Sequence, residues 1–250
     1  MAIVIAIIGL LIGGLLHSAE IIRIVEVRRV MADINSISAA TKGFVEKYGS
    51  VPGDFPLATK RIANCSAAMK CYDGNGDGFV GKAYSGSSGW DQDQAGTLTM
   101  PYVETTMFFK HLALGHFLKD IDPSADPAKP RWSYTHPAAA TGGGFTVFAD
   151  TNSAGSSLSI RIQNNVYYKG AAAIDPAQQR PYTVKQAIYM DQKYDDGRAA
   201  AGNMWGIPYA GAGGPPPCRK AWGGHPQDYN NDPADNAMDS KVCQFHFIFH

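Results

Sequence analysis

The sequence predicts an α+β fold in which a long N-terminal α-helix packs on an antiparallel β-sheet head with loop insertions. Residues 1–16 form an apolar run without any charged or strongly polar side chain. Across residues 17–48, apolar side chains recur at three-and-four spacing with charged residues between them, which is typical of an amphipathic helix. Residues 144–149 and 158–163 alternate at period two, as strands do. The predicted division is therefore an apolar half-helix, an amphipathic half-helix and a head over residues 49–250.

The N-terminal helix has an unusual length. At ~1.5 Å per residue, a helix through residue 48 is ~70 Å long. Its apolar part is slightly shorter than the roughly 17–25 residues of a usual membrane span. The run starts at Met1 without a basic flank, unlike a cleavable signal peptide with its own basic region. We expect the first part to suit lipid and the second to cover a soluble domain.

Three glycines interrupt the apolar run. Gly9, Gly13 and Gly14 each lower helix stability by about 1 kcal/mol relative to alanine. Gly9 and Gly13 also form a G-x-x-x-G spacing, which lets two helix backbones approach closely in an apolar medium. Two interpretations stay open: the small residues fit a crowded helix bundle, or the helix melts locally there.

Charge and composition exclude some classes of function. The chain has 22 basic and 22 acidic residues, so no charge excess indicates a nucleic-acid partner. No nucleophile elbow, metalloprotease helix, phosphate loop or dinucleotide fingerprint occurs, so no enzymatic activity is expected.

The four cysteines are Cys65, Cys71, Cys218 and Cys243. An even number behind an export-type N-terminus indicates disulfides in an oxidising compartment. Pairing Cys65 with Cys71 closes a small loop and pairing Cys218 with Cys243 a longer one, while two other pairings remain possible. Zinc is the competing interpretation, but no C-x-x-C pair occurs and the spacings do not fit. No C-x-x-C-H motif occurs either, so no haem is expected.

A short acidic, glycine-rich loop is the candidate metal site. Asp73, Asn75 and Asp77 occupy positions 1, 3 and 5 of a calcium-loop pattern, and Phe79 offers its backbone carbonyl at position 7. Position 12 is Tyr84 instead of the usual glutamate. The alternative is a plain turn rich in Asp, Asn and Gly. Calcium is therefore the candidate cofactor.

The head contains further predicted elements. Residues 104–118 and 181–193 have helical patterns, and residues 243–250 form a closing strand with Phe245, Phe247 and Phe249 on its core face. His111 and His116 both lie on the first of these helices. Their spacing does not place them on one face of the helix, as a metal site on a helix requires. We expect both histidines to be solvated or hydrogen-bonded instead of ligating a metal.

Near the end of the second predicted helix, Asp191 and Asp195 lie four residues apart on one helical face. Carboxylate pairs can perform acid–base chemistry. Because no nucleophile accompanies them, a helix cap, a calcium contact or a solvated face is the favoured interpretation.

Several strings resemble one protein family. The run AIVIAIIGLL at 2–11 resembles the apolar helix that follows the processing site in type IV pilins and pseudopilins. Further strings resemble a branch of that family: YGSVPGD at 48–54, DGNGDG at 73–78, KHLAL at 110–114 and AIYMDQKYDDG at 187–197. On this register Met1 is the sixth mature residue, so the family's leader, methylated first residue and glutamate are absent from the sequence. Either the sequence starts late, which is favoured because five more residues would complete a full apolar span, or it is a divergent member. The position of the family's helix-breaking proline is occupied by His17.

The resemblance implies a function. Such a chain is a structural subunit of a type IV pilus-like filament, held in the inner membrane as a precursor and then placed in an extracellular or periplasmic filament. Its partners are identical subunits and the pilus or secretion assembly machinery. The loop between Cys218 and Cys243 corresponds to the variable disulfide-bounded loop of pilins. The helix residues implied in assembly are Ile3, Ile7, Gly9, Leu10, Gly13 and Gly14.

Alternatives within the family are a pseudopilin of a type II secretion system and a minor pilin. A membrane-anchored enzyme or binding protein is the alternative from a different class.

Overall fold

The fold is described by a computed structural model. The structure describes residues 2–81, 104–127, 129, 131–150, 157–164, 181–206, 218, 229 and 241–249, with backbone only for residues 2–21. Within this part, the α-helices are α1 (Ala2–Tyr48), α2 (Ala58–Arg61), α3 (Glu104–Leu114) and α4 (Val184–Tyr194). The strands are β1 (Gly144–Asp150), β2 (Ser157–Gln163), β3 (Tyr182–Thr183), β4 (Ala200–Ala201), β5 (Met204–Gly206), β6 (Lys241–Cys243) and β7 (Phe245–Phe249).

The main sheet is antiparallel and has the strand order β1-β2-β7-β5-β4. The predicted hairpin forms, with Val147 opposite Ile160, and Ile160 in turn opposite Phe247 on the neighbouring strand. All three side chains are buried because alternate residues of each strand face the core. A long helix and an antiparallel sheet confirm the predicted α+β class.

Helix α1 is continuous and ends at Tyr48, as the sequence predicts. It ends there because Gly49 adopts a left-handed conformation (φ 77°) and donates its N–H to the carbonyl of Val45. Among its described side chains, which start at residue 22, the first buried one is Val27, at 1% exposed. Among the residues that the structure describes, no helix is both long enough and apolar enough to cross a membrane.

The buried face of α1 covers the sheet and helices α3 and α4. Burying each large apolar side chain contributes on the order of 1.5–3 kcal/mol, so this face holds the helix on the head. The buried apolar residues of α1 are Val27, Val30, Met31, Ile34, Ile37, Ala40, Phe44 and Tyr48.

Helix α3 is shorter than predicted, since it ends at Leu114 and not at residue 118. The cause is a Schellman motif: His116 is left-handed (φ 64°), its N–H bonds to Ala113, and the N–H of Phe117 bonds back to the carbonyl of Leu112. A non-glycine residue at the left-handed position hides this stop from a sequence pattern.

Helix α4 starts later than predicted, because residues 182 and 183 form strand β3. Thr183 then caps the helix: its hydroxyl accepts from the N–H of Gln186, whose side chain accepts in return from the N–H of Thr183. The predicted closing strand is likewise divided at Gln244 into β6, which pairs with β3, and β7, which lies in the main sheet.

Candidate functional site

The predicted helix residues for assembly lie within the backbone of α1, and their side chains lie outside the described part of the chain. Their contacts therefore stay a prediction. These residues are Ile3, Ile7, Gly9, Leu10, Gly13 and Gly14.

Both disulfides favoured by sequence spacing form. Cys65 bonds to Cys71, with their Cα atoms 5.0 Å apart, and Cys218 bonds to Cys243, with a Cα distance of 4.8 Å. The other pairings are thereby excluded in this structure. Because all four sulfurs are in disulfides, no thiolate is left for the zinc alternative.

Asp54 organises the loop that carries the calcium pattern. Its Oδ1 accepts hydrogen bonds from the N–H groups of Gly76 (2.7 Å) and Asp77 (3.0 Å), and its Oδ2 accepts from Gly78 (3.0 Å). Asp54 itself is 2% exposed. The strings at 48–54 and 73–78 are therefore two halves of one unit.

The two halves lie so close that a side chain at residue 74 does not fit. A Cβ on Gly74 would lie 2.3 Å from the carbonyl oxygen of Gly53, closer than real Cβ contacts. The N–H of Gly74 meanwhile bonds to the carbonyl of Phe55 at 3.0 Å. Glycine at this position is thus required by the close packing of the two backbone segments.

Glu104, the first residue of α3, closes the unit from the other side. Its Oε1 accepts from the N–H of Asn75 (2.8 Å) and its Oε2 from the N–H of Gly81 (2.9 Å). Carboxylate oxygens of Asp54, Asp77 and Glu104 lie within 4.8 Å of one another, and we call these three residues the acidic cluster. Sequence analysis missed Asp54 and Glu104; the only signal was a carboxylate in the first turn of a predicted helix.

Burial dominates the electrostatics of the acidic cluster. Desolvation raises the pKa of Asp54 and of Glu104, although their hydrogen bonds from backbone N–H groups act in the opposite direction. The charge of Asp77 raises both pKa values further. Because the three carboxylates lie close together, the binding of a cation next to them would be favourable.

The acidic cluster fits calcium better than the predicted ligand set does. Calcium takes about 6–8 oxygen ligands, mainly carboxylates and carbonyls. Oδ1 of Asp54 already accepts two N–H groups. Oδ2 of Asp54 and both carboxylate oxygens of Glu104 accept one N–H each, which leaves each of them a lone pair for a cation. Asp54, Asp77 and Glu104 would hold the ion, and calcium stays a prediction at this place.

Asp73 lies outside the acidic cluster. Its Oδ1 accepts from the N–H of Thr59 (2.7 Å) and its Oδ2 from the Thr59 hydroxyl (3.0 Å), so it caps the short helix α2. Asn75 and Asp77 bond to each other, and the N–H of Phe79 donates to Asp77. The structure therefore brings Asp77 together with Asp54 and Glu104 instead of with Asp73.

His111 is fully buried and both of its ring nitrogens are hydrogen-bonded. Nδ1 accepts from the N–H of Gly53 at 3.0 Å, and Nε2 donates to the carbonyl of Tyr72 at 2.9 Å. Burial lowers the pKa of His111 to about 4, so the ring is neutral. Its role is to connect residues on either side of the acidic cluster, as expected for a hydrogen-bonded residue.

The string at the end of α4 anchors the neighbouring backbone. Oδ1 of Asp191 accepts from the N–H of Gly197 (2.7 Å), and its Oδ2 accepts from the hydroxyl of Tyr229. Asp195 accepts from the N–H of Met204 (2.7 Å). Burial raises the pKa of Asp191 to about 6. Asp191 is buried and not solvated, and both carboxylates bond to groups that follow the helix in sequence. Carboxylate oxygens of Asp191, Asp195 and Asp196 lie within 4.8 Å of one another, so the calcium contact stays a prediction.

Comparison of the chain with protein-family models, curated proteins and solved structures finds no match. The function is therefore inferred from the residues and the geometry of this chain.

Proposed function

We propose that this chain is a structural subunit of a type IV pilus-like extracellular filament, held in the inner membrane before assembly and polymerising through α1. One observation carries the proposal. Helix α1 runs without a break from Ala2 to Tyr48, and among its described side chains, which start at residue 22, the first buried one is Val27. The apolar sequence of residues 1–16 is part of the same rod.

The physical driver is the burial of apolar helix surface between copies. Ile22 and Val25, at the start of the described side chains of α1, are 58% and 56% exposed. When a second helix covers large apolar side chains that are exposed next to each other, the contact is stabilised by about 25 cal/mol for each Å² of apolar surface removed from water. Identical subunits are the proposed partners, with the assembly machinery acting during extraction from the membrane.

The head is suited to an oxidising environment. Its two disulfides join cysteines that are 6 and 25 residues apart in the sequence. Disulfides of this kind persist outside the cytosol. This supports an extracellular or periplasmic filament, in which the head lies on the outside and the acidic cluster stiffens one of its loops.

Two alternatives remain within the same architecture. A pseudopilin of a type II secretion system and a minor pilin would both use α1 in the same way. The number of subunits in surface filaments separates them, because a major subunit accounts for most of the filament mass. We propose that this chain has no enzymatic activity, because His111 and the carboxylates of the acidic cluster bond to backbone groups.

The proposal is tested with the full chain, produced in cells that have a prepilin-type assembly machinery. Sheared filaments are counted by negative-stain electron microscopy for the wild type, for the double variant I22E/V25E and for the control L57E. Leu57 is another exposed apolar residue, 41% exposed and outside α1. We expect filaments from wild type and L57E, and at least about tenfold fewer from I22E/V25E, since ~1.4 kcal/mol per contact is a tenfold change in affinity. Wild-type cells without filaments would contradict the proposal.

A further inference from the structure

A cleft of about 320 Å³ lies beside α1, between the helix and the head segments at 118–120 and 133–140. Its size falls in the range of about 300–1,000 Å³ that is usual for binding sites. Apolar residues form part of it, including Ile37, Leu118 and Pro137. The charged groups at the cleft are Arg29, Asp33 and Asp120.

The charges of the cleft do not balance. Two carboxylates, of Asp33 and Asp120, are accompanied by the one guanidinium of Arg29. Burial raises the pKa of Asp33, Arg29 lowers it, and the charge of Asp120 raises it again. Within the part of the chain that the structure describes, these three side chains interact electrostatically but form no hydrogen bond or ion pair. Both carboxylates can therefore accept hydrogen bonds from a further cation.

The position of the cleft indicates where that cation comes from. Asp33 follows Val25 on the same helix, ~12 Å further along it at ~1.5 Å per residue. A helix that covers Ile22 and Val25 of one copy therefore passes next to the cleft of that copy. This step rests on the proposed filament function.

Helix α1 itself offers the matching cation. Arg28 is exposed and, among the described residues, forms no ion pair. It belongs to the same exposed stretch as Ile22 and Val25, so one helix–helix contact can include all three. Lys42 is also exposed but lies ~20 Å from that stretch along the helix axis. Lys47 is occupied, because its Nζ lies over the rings of Tyr48 and Phe117.

We propose that this cleft is the docking site for Arg28 of a second copy of this chain. The guanidinium bonds to the carboxylates of Asp33 and Asp120, and the aliphatic part of the side chain packs on the apolar residues of the cleft. The ion pair then fixes the stagger between neighbouring helices, which apolar contacts alone leave free to slide. Each cleft is complete only when a neighbour is present.

A charge exchange between the two copies tests the inference. D33K and R28E are each expected to lower the number of filaments at least about tenfold, which corresponds to ~1.4 kcal/mol per contact. The double variant D33K/R28E is expected to restore assembly, because the opposite pair forms. D33K/K42E is the matched control and is expected to stay deficient. Thermal melting of each variant, together with the milder D33N/D120N, checks that the head folds.

The outcomes separate this inference from the proposed function. If the wild type forms filaments and D33K does so equally well, or if K42E restores assembly in place of R28E, the docking of Arg28 is wrong while the filament proposal stands. If monomeric wild type binds spermidine and D33K assembles normally but loses that binding, the occupant is a small cation and the inference is likewise overturned. A wild type that does not assemble overturns both.

Discussion

Nδ1 of His111 accepts a hydrogen bond from the backbone N–H of Gly53, at 3.0 Å and across 58 residues of sequence. This bond joins the last turn of α3 to the loop that directly follows α1. On the other side of the ring, Nε2 bonds to Tyr72, next to the acidic loop. Three strings that are far apart in sequence thus form one rigid corner of the head.

Removing Asp54 is expected to destabilise this corner strongly. In D54A, the N–H of Gly78 loses its acceptor, and the N–H groups of Gly76 and Asp77 each lose one of two acceptors. We expect the free energy of unfolding to fall by about 3 kcal/mol, since hydrogen bonds to charged groups contribute about 1.5–3 kcal/mol each and some are replaced by water. Urea unfolding measures the change. D73A is the control and should cost about 1 kcal/mol, as for a helix cap; equal losses in both variants would contradict this account.

Calcium is expected to raise the Tm of the folded head. The acidic cluster predicts that D77A removes the calcium-dependent rise, because Asp77 belongs to the cluster. D73A should keep the rise, since Asp73 is bonded to Thr59. Differential scanning calorimetry with calcium and with a chelator gives both values. Loss of the rise in D73A would restore the ligand set predicted from sequence, whereas an unchanged rise in D77A would contradict both ligand sets, because both include Asp77.

The contribution of His111 to the stability of the head is expected to fall from pH 6.5 to pH 4. The pKa of His111 is lowered to about 4 in the folded protein from an ordinary value of 6.5, so in this window the unfolded chain binds more protons and stability rises with pH. The buried His136, whose pKa is also lowered to about 4, acts in the same direction. H111Q should flatten the pH dependence of Tm while lowering Tm at pH 7, because Gly53 loses its acceptor. The exposed His116 is the control, and a profile as flat in H116Q as in H111Q would argue against this assignment.

Tyr229 is expected to hold the disulfide-bounded loop against α4. Its hydroxyl donates to the buried Asp191, and the residue lies between Cys218 and Cys243 in sequence. Y229F removes one donor from a buried carboxylate and should cost about 1.5–3 kcal/mol of unfolding free energy. Chemical denaturation measures it against Y194F, in which the altered tyrosine is 39% exposed. A cost no larger than that of Y194F would show that the bond contributes little.

The main elements follow from the sequence because their patterns are strong and local. The end of α1 coincides with a glycine, and the hairpin β1–β2 has alternating residues on both strands. The end of α3 and the start of α4 differ by several residues from the positions that the sequence pattern predicts. In α3 a histidine takes the left-handed position that glycine usually occupies, while in α4 the capping residue Thr183 also belongs to a strand.

The candidate sites were harder to predict, because they depend on long-range hydrogen bonds. The pattern around Asp73 suggested that alternate side chains converge on one ion. In the fold, the carboxylate of Asp73 bonds to Thr59. The carboxylates that lie close to Asp77 are those of Asp54 and Glu104, which come from before and after the loop. Only the packing of α3 against the turn after α1 brings these carboxylates together.

Cryo-electron microscopy of filaments sheared from cells that produce the full chain tests the central claim most directly. The account predicts a helical reconstruction in which the N-terminal parts of α1 from many copies form the central bundle and the heads lie outside. A protein that forms no filament, with residues 1–16 packed inside its own head, would contradict it.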